Sequence, residues 1–477
     1  MLHRAALASI LLTASVSGNL DHDISAILAR PSFQNATVGV EVRQLGSGDI
    51  LFSRDAHRST NPASNQKLGT SSAALSILGA EFRYNTTVIA NSRPVDGVID
   101  GDLWLRGSGD PSLNSTHLAR LADDLVKVGV KRVAGKVIGD GSRFDTNFLG
   151  AGWSWDDEPY YYSAQVSGLN CDGNVVSVSI SPGETEGEAA KITINSMDKD
   201  DEVYLKVQSS ATTTEGGSPS LSATRLRGRN IITVSGSIPV GSKAITSQVT
   251  VEDPTAFTAS RLVLALHDAG IEVAGRAENR EVESKPPSEG KVLASWTSEQ
   301  LSDLLKSFLK PSDNLYGEAL LKTIGYTASP DSPGSAATGG AAMADFFASA
   351  GISISGINIA DGSGLSRMDL VTARFICDLL EHIHTSFPEG DRKAFEDALP
   401  IGGVDGTLAD RFVGTPVEGK VRGKTGSLSG VSALSGYVDG KGNGDGHVFS
   451  VLMSAVADSA DAQKGQEDIV LAIFENS

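Results

Sequence analysis

Apolar residues recur along this 477-residue chain with two different periods, and the switch between them divides it. Near the start, Thr37-Val38-Gly39-Val40-Glu41-Val42-Arg43 and Ile50-Leu51-Phe52-Ser53 alternate as strands do. Gly46-Ser47-Gly48-Asp49 between them predicts a hairpin, and residues 21–29 ahead of it read as a short helix. The run Gly69-Thr70-Ser71-Ser72-Ala73-Ala74-Leu75-Ser76-Ile77-Leu78 predicts a helix that starts at Asn61-Pro62 and stops at Gly79. From about Tyr84 to Lys291 helices become scarce and short β segments recur, such as Val88-Ile89-Ala90, Asp102-Leu103-Trp104-Leu105-Arg106 and Val175-Val176-Ser177-Val178-Ser179-Ile180. The Ser/Thr/Gly-rich residues 209–229 read as a surface loop, and residues 254–269 as an amphipathic helix behind an Asp253 cap.

Helical spacing returns with Leu and Phe over residues 301–310, preceded by Thr297-Ser298-Glu299-Gln300 in the form of a capping box. It resumes over 315–323, so Ser312-Asp313-Asn314 falls in a tight interhelical turn. Residues 422–428, 431–438 and 447–455 read as strands, with a Gly-rich turn over 440–446, and Ile469, Val470, Ile473 and Phe474 share one face of a final helix. The pattern predicts an α/β protein whose two ends build one antiparallel sheet covered by helices, interrupted by a β-rich inserted region.

The length exceeds a single typical core, so two or three domains are expected. A formal net charge of −18 argues against nucleic acid or an anionic membrane as partner. Residues 1–19, with a weakly basic start, a short apolar run and a small-residue end, read as a secretory leader; no later run has the length of a membrane span. Two cysteines, Cys171 and Cys377, cannot make a disulfide framework or a thiolate zinc site, and no His-Glu-x-x-His occurs, so no metal and no other cofactor is expected. Asn35-Ala36-Thr37, Asn85-Thr86-Thr87 and Asn114-Ser115-Thr116 fit the N-glycosylation pattern, which matters only in a eukaryotic host.

Candidate chemistry centres on Ser64-Asn65-Gln66-Lys67. A spacing of three on a helix puts the Lys67 amine beside the Ser64 hydroxyl, and first-turn N–H groups lack intrahelical partners, leaving that of Ser64 free for an oxyanion. Ser-x-x-Lys alone is common, and recurs here at Ser196/Lys199, Ser288/Lys291 and Ser307/Lys310. The first copy stands apart because Ser312-Asp313-Asn314 and Lys424-Thr425-Gly426, each present once, follow it in order. A lysine serves as base only while neutral, and ordinary lysine titrates near ~10.4, so Lys67 needs both burial and a second cation nearby, which Lys424 can supply. Ser312 can relay a proton to a leaving amine, and Asn314 can hold a carbonyl or Lys67. Lys424 and Thr425 suit a carboxylate, Gly426 clears the strand edge for substrate, and the Ser427 N–H can complete an oxyanion hole.

With these motifs, and with Gly107-Ser108-Gly109-Asp110-Pro111-Ser112-Leu113, Asp361-Gly362-Ser363-Gly364-Leu365-Ser366-Arg367 and Gly403-Val404-Asp405-Gly406-Thr407-Leu408, the chain resembles the class C low-molecular-mass penicillin-binding proteins over nearly its whole length. The resemblance implies a penicillin-binding-protein/β-lactamase-like transpeptidase domain in residues 20–83 and 289–477. It further implies an inserted domain in 84–150 and 241–288, with a nested one in 151–240. It implies a serine D-Ala-D-Ala carboxypeptidase/endopeptidase acting on peptidoglycan stem peptides, acylated by β-lactams, and secreted or periplasmic. It also implies that Arg367 grips the diaminopimelate side chain of the substrate with an acidic partner, Asp157 or its neighbour Asp156. A β-lactamase, esterase or D-aminopeptidase on the same fold, and a noncatalytic wall-binding protein, are the alternatives.

Overall fold

A computed structural model describes residues 14–195, 204–280, 290–441 and 446–477. Most of the expected leader, the first two of the other Ser-x-x-Lys serines (Ser196 and Ser288) and the centre of the Gly-rich turn at 442–445 lie outside the described residues.

The central sheet has five antiparallel strands in the order Val421–Leu428, Val431–Val438, His447–Ser454, Thr37–Gln44, Ile50–Arg54. Thr37 lies opposite Ser454, so the two ends of the chain are zipped together at its middle. The sheet is covered on both faces, and alternation along the strands sorts the side chains. Ala433, Tyr437, Val448 and Leu452 pack into one core with the helices Gln66–Leu78, Leu301–Leu309, Asn314–Ala328 and Ala373–Ser386. Leu434, Val438, Phe449, Val451 and Met453 face the other core, formed with the terminal helices Ala14–Leu28 and Ser459–Glu475. The first of these helices reaches back to Ala14, overlapping the expected end of the leader.

The region between the Gln66–Leu78 helix and the Leu301–Leu309 helix builds a separate core of its own. One five-stranded mixed sheet, in the order Ala277–Asn279, Val137–Asp140, Leu103–Arg106, Asn85–Ala90, Lys291–Thr297, carries the helices Ser115–Lys127 and Pro254–Asp268. Three smaller sheets, one around Val175–Ser181, one around Ile231–Pro239 and one around Arg132–Val133, accompany it among the described residues.

Three local expectations are corrected. Ser115–Lys127 is a helix within the stretch read as poor in helix; it buries Leu118, Leu121, Ala122 and Leu125 at i, i+3, i+4, i+7, and Asn114 caps it by accepting from the His117 N–H. Residues 209–229 are not all loop: Thr212–Thr214 and Ser220–Arg225 both pair with Ile231–Pro239, whose ladder supplies partners for their backbones. Thr297 does not cap the next helix, because it is committed to pairing with Asn85; Gln300 is the cap residue and makes no side-chain capping bond. Cys171 and Cys377 are both buried and free, one in the inserted core and one under the central sheet.

Asn114 thus has a structural duty. Replacing it with Ala is expected to cost about 1 kcal/mol of helix stability, read as faster amide hydrogen exchange over residues 115–118, and Asn114→Ser should restore protection.

Candidate active site

The Ser64 turn is tighter than the sequence suggests. Ala63–Asn65 forms a single 3-10 turn, with the α-helix proper beginning at Gln66, so Ser64 precedes the helix rather than sitting in its first α-turn. Ala63 takes a left-handed conformation, φ 44°, and Asn61 clamps it: its side-chain oxygen accepts the Ala63 N–H at 2.9 Å while its amide donates to the carbonyls of Ser366 and Asp369. Lys67, on the first turn of the helix, brings Nζ to 2.8 Å from Ser64 Oγ. This helix is small-residue rich because neighbours press on it; a Cβ on Gly69 would lie 3.2 Å from the Phe347 ring.

Ser312 also has positive φ, 65°, and Asp313 caps the Asn314–Ala328 helix by accepting from the Tyr316 N–H at 3.2 Å. Asn314 therefore starts a helix with its side chain directed back at the lysine, Oδ1 accepting from Lys67 Nζ at 2.6 Å and Nδ2 donating to the Tyr162 carbonyl at 2.7 Å. The third partner of Lys67 is a residue for which sequence reasoning gave no role: Nζ donates to the carbonyl of Ser363 at 2.6 Å. Nothing in the Gly-rich stretch 361–367 announces which carbonyl points where.

The Val421–Leu428 strand closes the site. Asn65 Nδ2 donates to the Lys424 carbonyl at 3.0 Å, and a Cβ on Gly426 would meet the Pro62 carbonyl at 2.6 Å and Ala63 Cβ at 3.1 Å. Gly426 is thus required by the strand's approach to the Ser64 turn, a constraint separate from any substrate. Lys424 is fully buried and donates to the Thr425 carbonyl at 2.9 Å, and Thr425 Oγ1 donates to Thr407 Oγ1 at 2.7 Å. Ser64, Ser312, Thr425, Gly426 and Ser427 line one open cavity of ≈ 360 Å³. Thr407, Arg411 and Gln463, to which the sequence assigned no role, line it too.

Burial pushes the Lys67 ammonium down to about 8, against the opposing pull of Asp361, Asp313, Glu318 and Asp369. Burial is the largest cause for Lys67, and the neighbouring Lys424 is held well below the usual range by its own burial and by repulsion from Lys67, a repulsion that acts on both amines. Burial, reinforced by Asp361, pushes the carboxyls of Glu318 and Asp369 up. Glu318 accepts from the Gly362 and Ser363 N–H groups at 3.0 and 2.9 Å.

Arg367 and Asp157 lie in the two segments flanking this site and face different partners. Arg367 Nη1 donates to the Ser429 carbonyl at 2.9 Å, whereas Asp157 Oδ1 accepts the Tyr162 hydroxyl at 2.8 Å. Asp156 is exposed and accepts from Ser154 Oγ, which holds its carboxyl below the usual range.

Comparison with known proteins bears on the family and the fold. The chain is 37% identical over 433 residues to a D-alanyl-D-alanine carboxypeptidase of Actinomadura sp. (strain R39), covering 88% of this chain and 78% of that one. It is 28% identical over 439 residues to the D-alanyl-D-alanine carboxypeptidase DacB of Haemophilus influenzae, covering 91% and 89%. The crystal structure of penicillin binding protein 4 from Haemophilus influenzae superposes with a TM-score of 0.83 at 26% identity, over 94% of this chain and 99% of that chain. The family description that matches, over residues 20–475, is D-Ala-D-Ala carboxypeptidase 3 (S13), and the chain belongs to that family of serine peptidases.

Proposed function

We propose that Ser64 is the nucleophile of a D-Ala-D-Ala carboxypeptidase/endopeptidase acting on peptidoglycan stem peptides, with Lys67 as its base. The observation that carries this reading is the 2.8 Å approach of Lys67 Nζ to Ser64 Oγ at the floor of a cavity that Ser312 and Thr425 also line. Lys67 takes the Ser64 proton as Oγ bonds to the carbonyl carbon, with the oxyanion received by the N–H groups of Ser64 and Ser427. The C–N bond then breaks, and the proton passes by way of Ser312 to the departing amine, D-alanine or the far side of a cross-link. Water hydrolyses the acyl-enzyme. Asn314 holds Lys67 and the substrate amide, while Thr425, backed by Lys424 and beside Gly426, receives the terminal carboxylate.

A lysine at about 8 leaves roughly one-tenth of the enzyme with a neutral base at pH 7. Burial of Lys67 therefore has a functional consequence, a neutral amine available near neutral pH. Arg367 and Asp157 take the free end of the diaminopimelate side chain; their positions on segments beside the cavity, each with a backbone or tyrosine partner that a substrate can displace, support this. Among the described residues no helix is long and apolar enough to cross a membrane, which accords with a secreted or periplasmic enzyme once the leader is removed. β-Lactams present a strained amide to the same hydroxyl. Penicillin binding protein 4 of Haemophilus influenzae, 25% identical to this chain, has been crystallised with one.

Incubation with penicillin followed by intact-mass measurement is expected to give one adduct per chain, abolished by Ser64→Ala. No adduct, or one that survives the substitution, rejects the nucleophile. The mature enzyme should release D-alanine from defined muropeptides, whereas rapid multiple turnover of a chromogenic cephalosporin would favour a β-lactamase.

The rate of acylation is expected to rise with pH through a midpoint near about 8, following the neutral fraction of Lys67. The sign follows from the shift: a lysine lowered from 10.5 becomes a competent base below the ordinary lysine range, and acidification through about 8 reprotonates it and slows acylation. A flat profile from pH 6 to 9 would remove Lys67 as resting-state base.

A further inference from the structure

Lys67 Nζ has three partners, and their chemistry is not equivalent. Ser64 Oγ can donate or accept; Asn314 Oδ1 and the Ser363 carbonyl, each at 2.6 Å, only accept. A neutral amine has two N–H bonds and one lone pair. When both N–H bonds are spent on the two obligate acceptors, the lone pair is left facing Ser64 Oγ. Those two acceptors therefore aim the base.

Each acceptor is oriented by a bond from one short stretch, residues 151–162, which belongs to none of the three sequence motifs. At its far end, the Tyr162 carbonyl accepts Asn314 Nδ2 at 2.7 Å. This fixes which way the Asn314 amide faces, since a flipped amide would set NH2 against Lys67 and oxygen against a carbonyl. At its near end, Trp153 Nε1 donates to Asp361 Oδ2 at 2.8 Å. The Asp361 carboxylate is the hub of the loop that presents the Ser363 carbonyl, and also accepts the N–H groups of Ser363, Gly364 and Ser366 at 3.1, 2.6 and 2.6 Å. A second tether at this end runs from Ser366 Oγ to the Ala151 carbonyl at 2.6 Å.

We propose that residues 151–162 act as a positioning strap for Lys67, with Trp153 and Ser366 as positioning residues that hold the Ser363 carbonyl and the Tyr162 carbonyl holding Asn314. Among the described residues the strap makes no hydrogen bond to the side chain of Ser64 or Lys67; it acts through their partners. The proposal rests on Lys67 serving as the base. Its effect belongs in the limiting rate of acylation, because a base whose lone pair wanders off line spends less time in the reactive geometry. Loosening the strap also lets water reach the amine, relieving the desolvation that dominates its titration. The charged and titratable groups facing Lys67 are Asp313 and Glu318 from one helix, Asp361 and Asp369 from the loop and Lys424 from the strand, and none of them is substituted in the variants below.

The test is acylation by 6-aminopenicillanic acid, which has no acyl side chain to touch the strap, in Trp153→Phe and in a variant with benzothienylalanine at 153 that replaces only the N–H. Both are expected to lower the limiting acylation rate about ten-fold, leave the half-saturating concentration within about two-fold, and move the pH midpoint upward. Ser366→Ala should shift rate and midpoint in the same direction. Trp155→Phe, at an exposed neighbour, should change neither. Wild-type limiting rate and midpoint in folded Trp153→Phe, or a loss confined to half-saturation, overturns the strap; should that variant not fold, Ser366→Ala is judged by the same criteria. Failure of the unmodified enzyme to acylate at all would instead overturn the reading of Ser64 and Lys67.

Discussion

The rest of the site depends on one desolvated amine. Lys67 has no solvent exposure and donates to a hydroxyl, a side-chain amide and a main-chain carbonyl contributed by three separate stretches of chain. Burying an ammonium costs several kcal/mol even after relaxation, and such a group survives only when its donors are satisfied. A fall from 10.5 to about 8 corresponds to a penalty on the order of 3 kcal/mol against the charged form. The fold spends that stability to hold an amine that can be neutral near physiological pH.

Bringing three segments to one nitrogen requires backbone to approach backbone, and the small residues of the motifs record where. A Cβ on Gly364 would fall 1.8 Å from the Ala63 carbonyl, one on Gly362 2.2 Å from that of Gly317, and one on Gly426 2.6 Å from that of Pro62. Each glycine seats one element against another: the Ser363 loop against the Ser64 turn and the Asn314 helix, and the strand against the turn. The double-covered sheet underneath gives these contacts a rigid base, with the zipped chain ends fixing the Val421–Leu428 strand relative to the hairpin.

Much of this was legible in the sequence because it is local. Period-two alternation in residues 37–43, an Asx cap at Asp253 and spacing of three between Ser64 and Lys67 each carry their geometry within a few residues. What the sequence hid was tertiary. The helix at Ser115–Lys127 was masked by surrounding β texture, although its apolar stripe was present, and Asn114 was seen only as part of a glycosylation pattern when it is also a cap. The carbonyls of Ser363 and Tyr162 act through main chain, which side-chain identity does not reveal. Arg411 is drawn to the cavity edge by Glu467 on the last helix, a pairing 56 residues apart that no motif encodes.

The acidic residues around Lys67 complete the electrostatic argument. Asp361, Asp313, Glu318 and Asp369 would all favour a charged lysine, and four full negative charges at close range would return it toward its ordinary value. They do not act as four full charges, because Glu318 and Asp369 crowd the Asp361 carboxylate in the same buried pocket. Like charges so placed cannot all ionise, so protons are retained among them. The carboxyls can then serve as hydrogen-bond hubs that wind the Ser363 loop without imposing a field that would lock the base in its protonated form. The same crowding that makes the loop stiff keeps the lysine usable.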